Sequence, residues 1–345
     1  MALASPYSGV NTPIPKNQGE DKMQLFLNLL LFLSLLNTSL FSKEISPAFT
    51  LESRGLVSDF VLDGSMLYVA NDEGSVETFD ILTRKKIDEI FIAPNQSLIS
   101  GLVPAKILSV DRHNGKTLIV SSGEDGYRNV WVHDGFKLQQ IISTKRKIAV
   151  KEARFVDDEN FIFGTLGYDM VAYTMNDSHT VFTEHIEQSS FSDMVMSEDK
   201  STMVTASESG QVMLLDSKSG KVLKEFKPLN LDNIYKLAYK NGTILTAGQD
   251  RRVGVYPKNA KPYFIKSTFL VYAVGLSPSG KLGVYSSNEE SDLQLFNVAT
   301  GKKTHLLKGQ KSIPSTIKFF DEDGFFSAGY GNTIYYWYLK DFDRR

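Results

Sequence analysis

The five histidines have the greatest potential for metal chemistry in this chain, but their spacing argues against a local metal site. No two stand two or four residues apart, the spacing that lets neighbouring imidazoles share one zinc ion. The sequence contains no Cys, which excludes thiolate ligands, disulfides, a Cys nucleophile and a lipid attached to an N-terminal Cys. We therefore predict that the histidines are surface or edge residues: His113, His133, His179, His185 and His305.

Acidic residues cluster at 157–159, 289–290 and 321–323, always between predicted strands. Such clusters are typical of solvated turns, and none has the spaced ligands of a dedicated calcium loop. The glycine-containing turns SGEDG and AGYGN do not precede helices, so they lack the helix N-terminus that binds phosphate. Ser-Gly turns likewise lack the strand–turn–helix context of a hydrolase nucleophile. The sequence predicts no catalytic residue, no cofactor and no metal ligand.

Two basic clusters suggest a binding role instead. The first is Lys145-Arg146-Lys147, in a loop between two repeats, and the second is Arg251-Arg252, which follows Asp250 in a tight turn. In a repeat fold of the kind described below, these two loop types open on the same face. Because Arg is favoured at interface hot spots, we predict that these residues form part of a rim for a protein partner. The alternative is ordinary solubilising charge.

The stretch TILTAGQDRRVGVY, residues 243–256, shows what must position these residues. Two short β-favouring runs flank a polar turn, which predicts a β-hairpin too short to bury a face alone. Similar hairpins recur, and the strands group in fours with a period of about 43 residues, typical of propeller blades. The predicted first strands are VSDFVL, AKILSV, VKEARF, FSDMVM, IYKLAY, VYAVGL and PSTIKF.

The seven groups predict an all-β, seven-bladed propeller spanning residues 43–345. The last group lacks a fourth strand, and Ala48–Ser53 (AFTLES) is spare, so we predict that this N-terminal strand completes the last blade. An eight-bladed ring is the alternative. Each third strand ends on a large apolar residue that can wedge between blades: Phe79, Trp131, Tyr173, Leu215, Tyr256, Phe296 and Trp337.

The apolar run Leu25–Leu36 precedes the repeats and has the length of a signal-peptide core rather than a membrane span. We predict a disordered extension at residues 1–22, a signal peptide at residues 23–42 and export to the bacterial periplasm. The membrane would be contacted only through an uncleaved leader. The formal net charge of -2 argues against nucleic acid as a partner.

The hairpin TAGQDRRVGVY resembles a WD40 repeat, with Asp250 at the position of the turn Asp and Asp125 as a looser match. The Gly-His pair that usually opens such a repeat is absent, so the His–Asp network of the family is at best partial and the blades should pack through apolar contacts. Over roughly Lys43–Lys340 the chain also resembles the WD40-like accessory proteins encoded with periplasmic nitrate reductases, of the NapL type. The stretches that carry this resemblance are KEARFVDDE, QSSFSDM, TAGQDRRVGVY and FLVYAVGLSPSGKLG.

That resemblance implies a non-catalytic periplasmic factor that helps a nitrate reductase system mature, assemble or receive electrons, with components of that system as partners. Two alternatives stay open. One is a propeller enzyme of the lactonase or quinoprotein type, with Asp59, Glu152 and Asp193 approaching the channel axis. The other is an outer-membrane assembly factor, which would usually carry the lipid-attachment Cys that this chain lacks.

Overall fold

The computed structural model describes Gly9, residues 43–97 and residues 100–339. The extension and signal peptide predicted at residues 1–42 therefore lie outside the described residues, apart from Gly9. The regular secondary structure of the described chain is almost entirely β-strand, with short 3₁₀ turns at Glu124–Gly126 and Thr144–Arg146. No helix in these ranges is long and apolar enough to cross a membrane.

The strands alternate along the chain with tight turns, because short β-branched and aromatic runs are separated by Gly, Asn, Asp and Ser. Those of the N-terminal half are β1 (Lys43–Ile45), β2 (Phe49–Glu52), β3 (Val57–Asp63), β4 (Met66–Asn71), β5 (Ser75–Asp80), β6 (Lys85–Phe91), β7 (Asn95–Ser97), β8 (Gly101–Val103), β9 (Ile107–His113), β10 (Lys116–Ser122), β11 (Arg128–His133), β12 (Leu138–Ile142), β13 (Val150–Phe155), β14 (Asn160–Thr165), β15 (Asp169–Thr174) and β16 (Thr180–His185).

The C-terminal half continues the same alternation. Its strands are β17 (Phe191–Met196), β18 (Thr202–Ser207), β19 (Val212–Asp216), β20 (Val222–Phe226), β21 (Ile234–Lys240), β22 (Thr243–Gly248), β23 (Arg252–Tyr256), β24 (Tyr263–Lys266), β25 (Val274–Leu276), β26 (Leu282–Ser286), β27 (Leu293–Asn297), β28 (Lys303–Leu307), β29 (Pro314–Phe319), β30 (Gly324–Gly329) and β31 (Thr333–Tyr338).

In the described residues, six sheets built on four consecutive antiparallel strands and a seventh completed by β2 form seven blades, which confirms the predicted architecture over the eight-bladed alternative. Blade one is β3–β6, blade two β9–β12, blade three β13–β16, blade four β17–β20, blade five β21–β24 and blade six β25–β28. Blade seven is β29–β31 together with β2. In each blade the first strand is innermost and lines the channel. The small hairpin β7–β8 lies in the connection between blades one and two.

The ring closes as the sequence predicts, by pairing of β2 with the last blade. Phe49 stands opposite Tyr336 and Glu52 opposite Thr333 in an antiparallel register. One feature was not predicted: β1 pairs in parallel with β28 and adds a fifth strand to blade six. Ile45 is buried there, so the N-terminal segment fastens to the outer edges of two adjacent blades.

The core consists of seven apolar clusters, one at each interface between neighbouring blades. The bulky residue at the end of each third strand joins the cluster shared with the preceding blade. Tyr173 of blade three, for example, packs with Val120 and Val130 of blade two. Phe79 of blade one packs with Phe326 of blade seven, which closes the circle. The wedge role predicted for these residues therefore accounts for the contact between blades.

Candidate interaction face and channel

A β-bulge recurs at the start of the inner strand in six of the blades. The register between the first and second strands skips one residue, always the second of the inner strand. A bulge leaves that residue unpaired and redirects its side chain. The skipped residues lie at the end of the strands where the connections between blades and the second-to-third-strand turns emerge, here called the loop face. They are Ser58, Leu108, Lys151, Ser192, Tyr235 and Ser315.

An aromatic patch occupies the loop face over blades five to seven; it consists of Leu231, Tyr235, Phe269, Tyr272 and Tyr330. The rings of Tyr235 and Tyr272 stack with centroids 5.1 Å apart and planes 17° from parallel. Phe269 packs against Tyr272 at 6.1 Å. Leu231 is 71% exposed and Tyr330 is 69% exposed, so the patch presents apolar surface to solvent.

The stacked pair in this patch is held in place. The hydroxyl of Tyr235 donates to Oε1 of Gln249 at 2.9 Å, and its backbone is fixed by the bulge. Burial, together with the neighbouring Tyr272 and Asp232, raises the pKa of Tyr235, so its hydroxyl stays protonated at neutral pH and keeps its hydrogen bond to Gln249. A rigid aromatic surface loses little conformational entropy when a partner covers it.

The predicted rim residues of the first basic cluster lie in the connection between blades two and three. All three residues are exposed, and Lys147 adopts a left-handed conformation at the end of the 3₁₀ turn. The guanidinium of Arg146 lies 5.4 Å from the centroid of the Tyr173 ring and donates to the carbonyl of Ser178 at 3.3 Å. The guanidinium of Arg146 is therefore engaged by groups of blade three, whereas Lys145 and Lys147 face solvent.

The second predicted cluster lies in the turn between β22 and β23 of blade five. Asp250 accepts hydrogen bonds from the Leu231 amide at 2.8 Å and from the Asn230 side chain at 3.0 Å, so it anchors the preceding connection. Arg252 stacks on Phe264 at 4.5 Å. Arg251 adopts a left-handed conformation with a φ of 64°. Its side chain is exposed, so it is the residue of this cluster most accessible to a binding partner.

Buried amides replace the histidine that the sequence lacks at blade openings. In blade five, Nδ2 of Asn230 donates to Asp250 and its Oδ1 accepts from the Thr246 hydroxyl at 2.5 Å. Asp250 thus has a buried hydrogen-bond partner in Asn230. The expectation that the blades pack through apolar contacts is therefore incomplete, because this blade also contains a buried hydrogen-bond network.

Blade seven contains an equivalent network. Gln310 accepts from the Ser327 hydroxyl at 2.6 Å, and Trp337 donates its indole N–H to the same hydroxyl at 2.7 Å. The signal that could have revealed this network is the dipeptide Gly309-Gln310, which stands where a Gly-His pair would open the blade.

Inside the channel, acidic side chains link consecutive blades. Asp59 of blade one accepts from the Val110 amide of blade two at 3.2 Å, and Asp111 of blade two accepts from the Phe155 amide of blade three at 2.8 Å. The same link recurs from blade three to blade four and from blade four to blade five. Its members there are Glu152 with the Met194 amide and Asp193 with the Leu237 amide.

Cations pair with three of these carboxylates. Lys318 lies 3.2 Å from Asp59, Arg154 lies 3.0 Å from Glu152, and Lys236 lies 2.9 Å from Asp193. Burial alone would raise the pKa of Asp59, but Lys318 and Arg154 outweigh it and hold the pKa below its ordinary value. Asp59 is therefore ionised at neutral pH, whereas burial, together with repulsion from Arg154 and Lys236, lowers the pKa of Lys318.

Glu152 has the opposite electrostatic balance. Burial, followed by repulsion from Asp193, raises the pKa of Glu152 to about 7, although Arg154 lies beside it. Its carboxyl group therefore titrates near neutral pH.

The three channel carboxylates named by the enzyme alternative thus have their oxygens engaged by backbone amides and by cations. Among the described residues, no group of three or more His, Asp or Glu side chains is arranged to hold a metal ion. The five histidines all lie in the described part of the chain; His113, His179 and His185 each lie beside an Asp carboxylate.

Together the seven blades, the closing strand and the wedge residues define a WD40-like seven-bladed β-propeller. A similar solved structure is the β-propeller domain of Cps50 (Swd1) from Myceliophteria thermophila, with a TM-score of 0.67 and 14% sequence identity. The match covers 85% of this chain and 99% of that chain. No protein-family model and no curated protein matches the sequence.

Proposed function

We propose that this protein is a non-catalytic scaffold that binds a protein partner through its loop face. The observation that carries the proposal is the aromatic patch, where a stacked tyrosine pair is fixed by a bulge and flanked by the exposed Leu231 and Tyr330. Tyr is enriched at binding hot spots, and exposed apolar patches on soluble folds mark interaction sites. A propeller presents such loops on a rigid support.

A site-specific photocrosslinker tests which surface binds. A photoreactive phenylalanine analogue at position 235 should give a discrete crosslinked product in cells, whereas the same group at position 338 should give none. Tyr338 is a suitable control because it is 42% exposed at the other end of blade seven. Equal crosslinking from both positions, or crosslinking from 338 alone, would exclude the loop face as the binding surface.

Alanine substitutions measure the contribution of the patch. Tyr235→Ala with Tyr272→Ala should weaken partner binding by at least tenfold, since each buried hot-spot residue contributes more than about 1 kcal/mol. Tyr338→Ala should leave binding unchanged. Circular dichroism of each variant separates loss of binding from loss of folding.

The two basic clusters define a competing rim on the same face. Arg146→Glu with Arg251→Glu reverses charge at the predicted rim, which also includes Lys145, Lys147, Asp250 and Arg252. A strong loss of binding in this variant, with little effect of the tyrosine substitutions, would place the contact on the basic rim. The reverse result would assign it to the aromatic patch.

We propose in addition that the partner belongs to a periplasmic nitrate reductase system, and that the chain is exported by cleavage after the leader. The support is the resemblance to NapL-type accessory proteins and the signal-peptide pattern at residues 23–42. Affinity purification from nitrate-grown cells should recover reductase components with the wild type, and N-terminal sequencing should begin near Lys43. Recovery from the cytoplasm with an intact Leu25–Leu36 segment would contradict export.

The non-catalytic role needs its own test, because a channel enzyme would require a metal or cofactor. Elemental analysis and absorbance spectra of protein purified from its native host should show no stoichiometric metal or chromophore. A bound metal at one equivalent would favour the lactonase or quinoprotein alternative. That result would leave the propeller fold unaffected.

A further inference from the structure

A cavity of about 80 Å³ lies in the channel. It is lined on one side by inner strands of blades four to seven and on the other by side chains from blades one and three. A single water needs a small fraction of this space, so the cavity accommodates a group of a few atoms. The polar residues lining it are Asp59, Arg154, Asp193, Lys236, Thr316 and Lys318.

The hydrogen-bond acceptors of this cavity are already used. Both oxygens of Asp193 are engaged, one by Lys236 at 2.9 Å and the other by the Leu237 amide at 2.7 Å. Asp59 accepts from Lys318 and from two backbone amides, those of Phe60 and Val110. A ligand that only donates hydrogen bonds would therefore find few acceptors here.

The donors are in excess. An ammonium group has three N–H donors. Within the described residues, Lys236 directs one of them to Asp193, and Lys318 directs two, to Asp59 and to the carbonyl of Phe60. About a third of each lysine side chain is exposed, 35% and 33%, and both lysines line the cavity. Spare donors on two cations face one small space.

From this imbalance we propose that the cavity binds a small monovalent anion, of the size of chloride or formate, between Lys236, Lys318 and Arg154. The anion supplies the acceptors that the carboxylates cannot, and hydrogen bonds to charged donors are the strong ones in proteins. The site is distinct from the loop-face contact proposed above and does not depend on it.

Protonation of Glu152 strengthens the site. The charged groups around it are Asp59 of β3, Lys151 and Arg154 of β13, Asp193 of β17, Lys236 of β21 and, across the cavity, Lys318 of β29. Protonation of Glu152 removes one negative charge from this group. Anion binding and proton uptake therefore favour each other, and binding should tighten as the pH falls through about 7.

Bromide gives a direct test on the unmodified protein. Crystals of the full chain in sodium bromide should show an anomalous peak within hydrogen-bond distance of Lys236 and Lys318. In solution, the melting temperature in sodium formate should exceed that in sodium gluconate of equal ionic strength, since gluconate is too large for the cavity. This difference in melting temperature should be larger at pH 6 than at pH 8. Absence of the bromide peak, or equal melting temperatures in the two salts, would overturn the proposal.

A charge-balanced variant tests the role of the spare donors. Lys236→Met with Asp193→Asn removes one cation and one anion, so the net charge of the cavity is unchanged, and the Asn keeps an acceptor for the Leu237 amide. Formate affinity, taken from the melting shifts, should fall about ten- to hundredfold, because a hydrogen bond from a charged group is lost.

Lys200→Met with Asp111→Asn is the matched control, since Lys200 pairs with Asp111 at 3.6 Å and neither residue lines the cavity. Formate affinity of this control should equal that of the wild type. Affinity in the double variant equal to that of the wild type would show that net charge alone, and not the site, attracts the anion.

Discussion

Glu152→Gln should make the protein more stable at neutral and mildly alkaline pH. Glu152 is a buried carboxyl on the inner strand of blade three, and its pKa is raised from 4.5 to about 7 by burial and by repulsion from Asp193. Gln mimics the protonated acid, because its Oε1 can still accept from the Met194 amide. Arg154 keeps Ser109 at 2.7 Å and Asp59 at 3.7 Å as partners.

The direction and size of the effect follow from the two pKa values. Below pH 4.5 the carboxyl is protonated in both the folded and the unfolded chain, so it contributes no pH dependence. Between pH 4.5 and about 7 only the unfolded chain ionises, and each pH unit costs the folded state about 1.4 kcal/mol. Above about pH 7 both forms are ionised and the cost stays constant. The wild type should therefore lose roughly 3 kcal/mol relative to the Gln variant across this range.

Urea denaturation at pH 5, 6, 7 and 8, in gluconate buffers that contain no small anion, measures this difference. Glu184→Gln is the control, because Glu184 is exposed on the outer strand of the same blade. The control should follow the wild-type curve, whereas Glu152→Gln should diverge from it as the pH rises to about 7. Wild-type and Glu152→Gln curves that run parallel over all four pH values would refute the electrostatic reasoning.

Three further predictions concern packing. Gly164→Ala should destabilise the protein by about 1–3 kcal/mol in thermal unfolding, because the added Cβ would overlap the ring of Phe191. Gly167→Ala is the control and should be tolerated, since its Cβ would meet only the Thr165 hydroxyl at 3.9 Å. Leu51→Ala should lower the free energy of unfolding by about 2–5 kcal/mol, because Leu51 is buried in the closing strand. Thr50→Ala should lower it little, since Thr50 is exposed on the same strand. Equal melting temperatures for the two variants would argue against closure by β2. Gln310→Leu should cost about 1–3 kcal/mol by leaving the Ser327 hydroxyl without its acceptor; urea midpoints equal to the wild type would show that this network does not stabilise blade seven.

The repeating features of the fold could be predicted from the sequence because each has a local cause. The period of about 43 residues, the spare strand at 48–53 and the bulky residue ending each third strand all depend on alternation and turn chemistry within a blade. The structure confirms them as seven blades, the pairing of β2 with β31 and a wedge at each interface. The parallel pairing of β1 with β28 joins segments more than 250 residues apart and has no comparable local signal.

The candidate sites could be predicted only in part. Tyr235 and Tyr272 are visible as the second residues of two predicted inner strands, but their stacking depends on the angle between blades five and six and on the bulge. Asp59 and Asp193 could be placed near the axis, yet their partners, the Val110 and Leu237 amides, belong to the next blade. Contacts between repeats depend on the geometry of the closed ring, which no single repeat encodes.

The channel divides into two sides with different chemistry. The third residue of the inner strand is an acid in blades one, three and four, namely Asp59, Glu152 and Asp193, and each ties its blade to the next. At the same position blades five and seven carry Lys236 and Thr316, both of which line the cavity.

The aromatic patch lies above that same side of the ring, over blades five to seven. The acidic side chains therefore connect blades one to five, whereas the two lysine donors of the cavity and the exposed aromatic rings lie on blades five to seven. Tyr235 and Lys236 are adjacent in sequence, and the bulge at Tyr235 directs one to the loop face and leaves the other in the channel. A substitution that shifted the backbone at this bulge would therefore alter both surfaces.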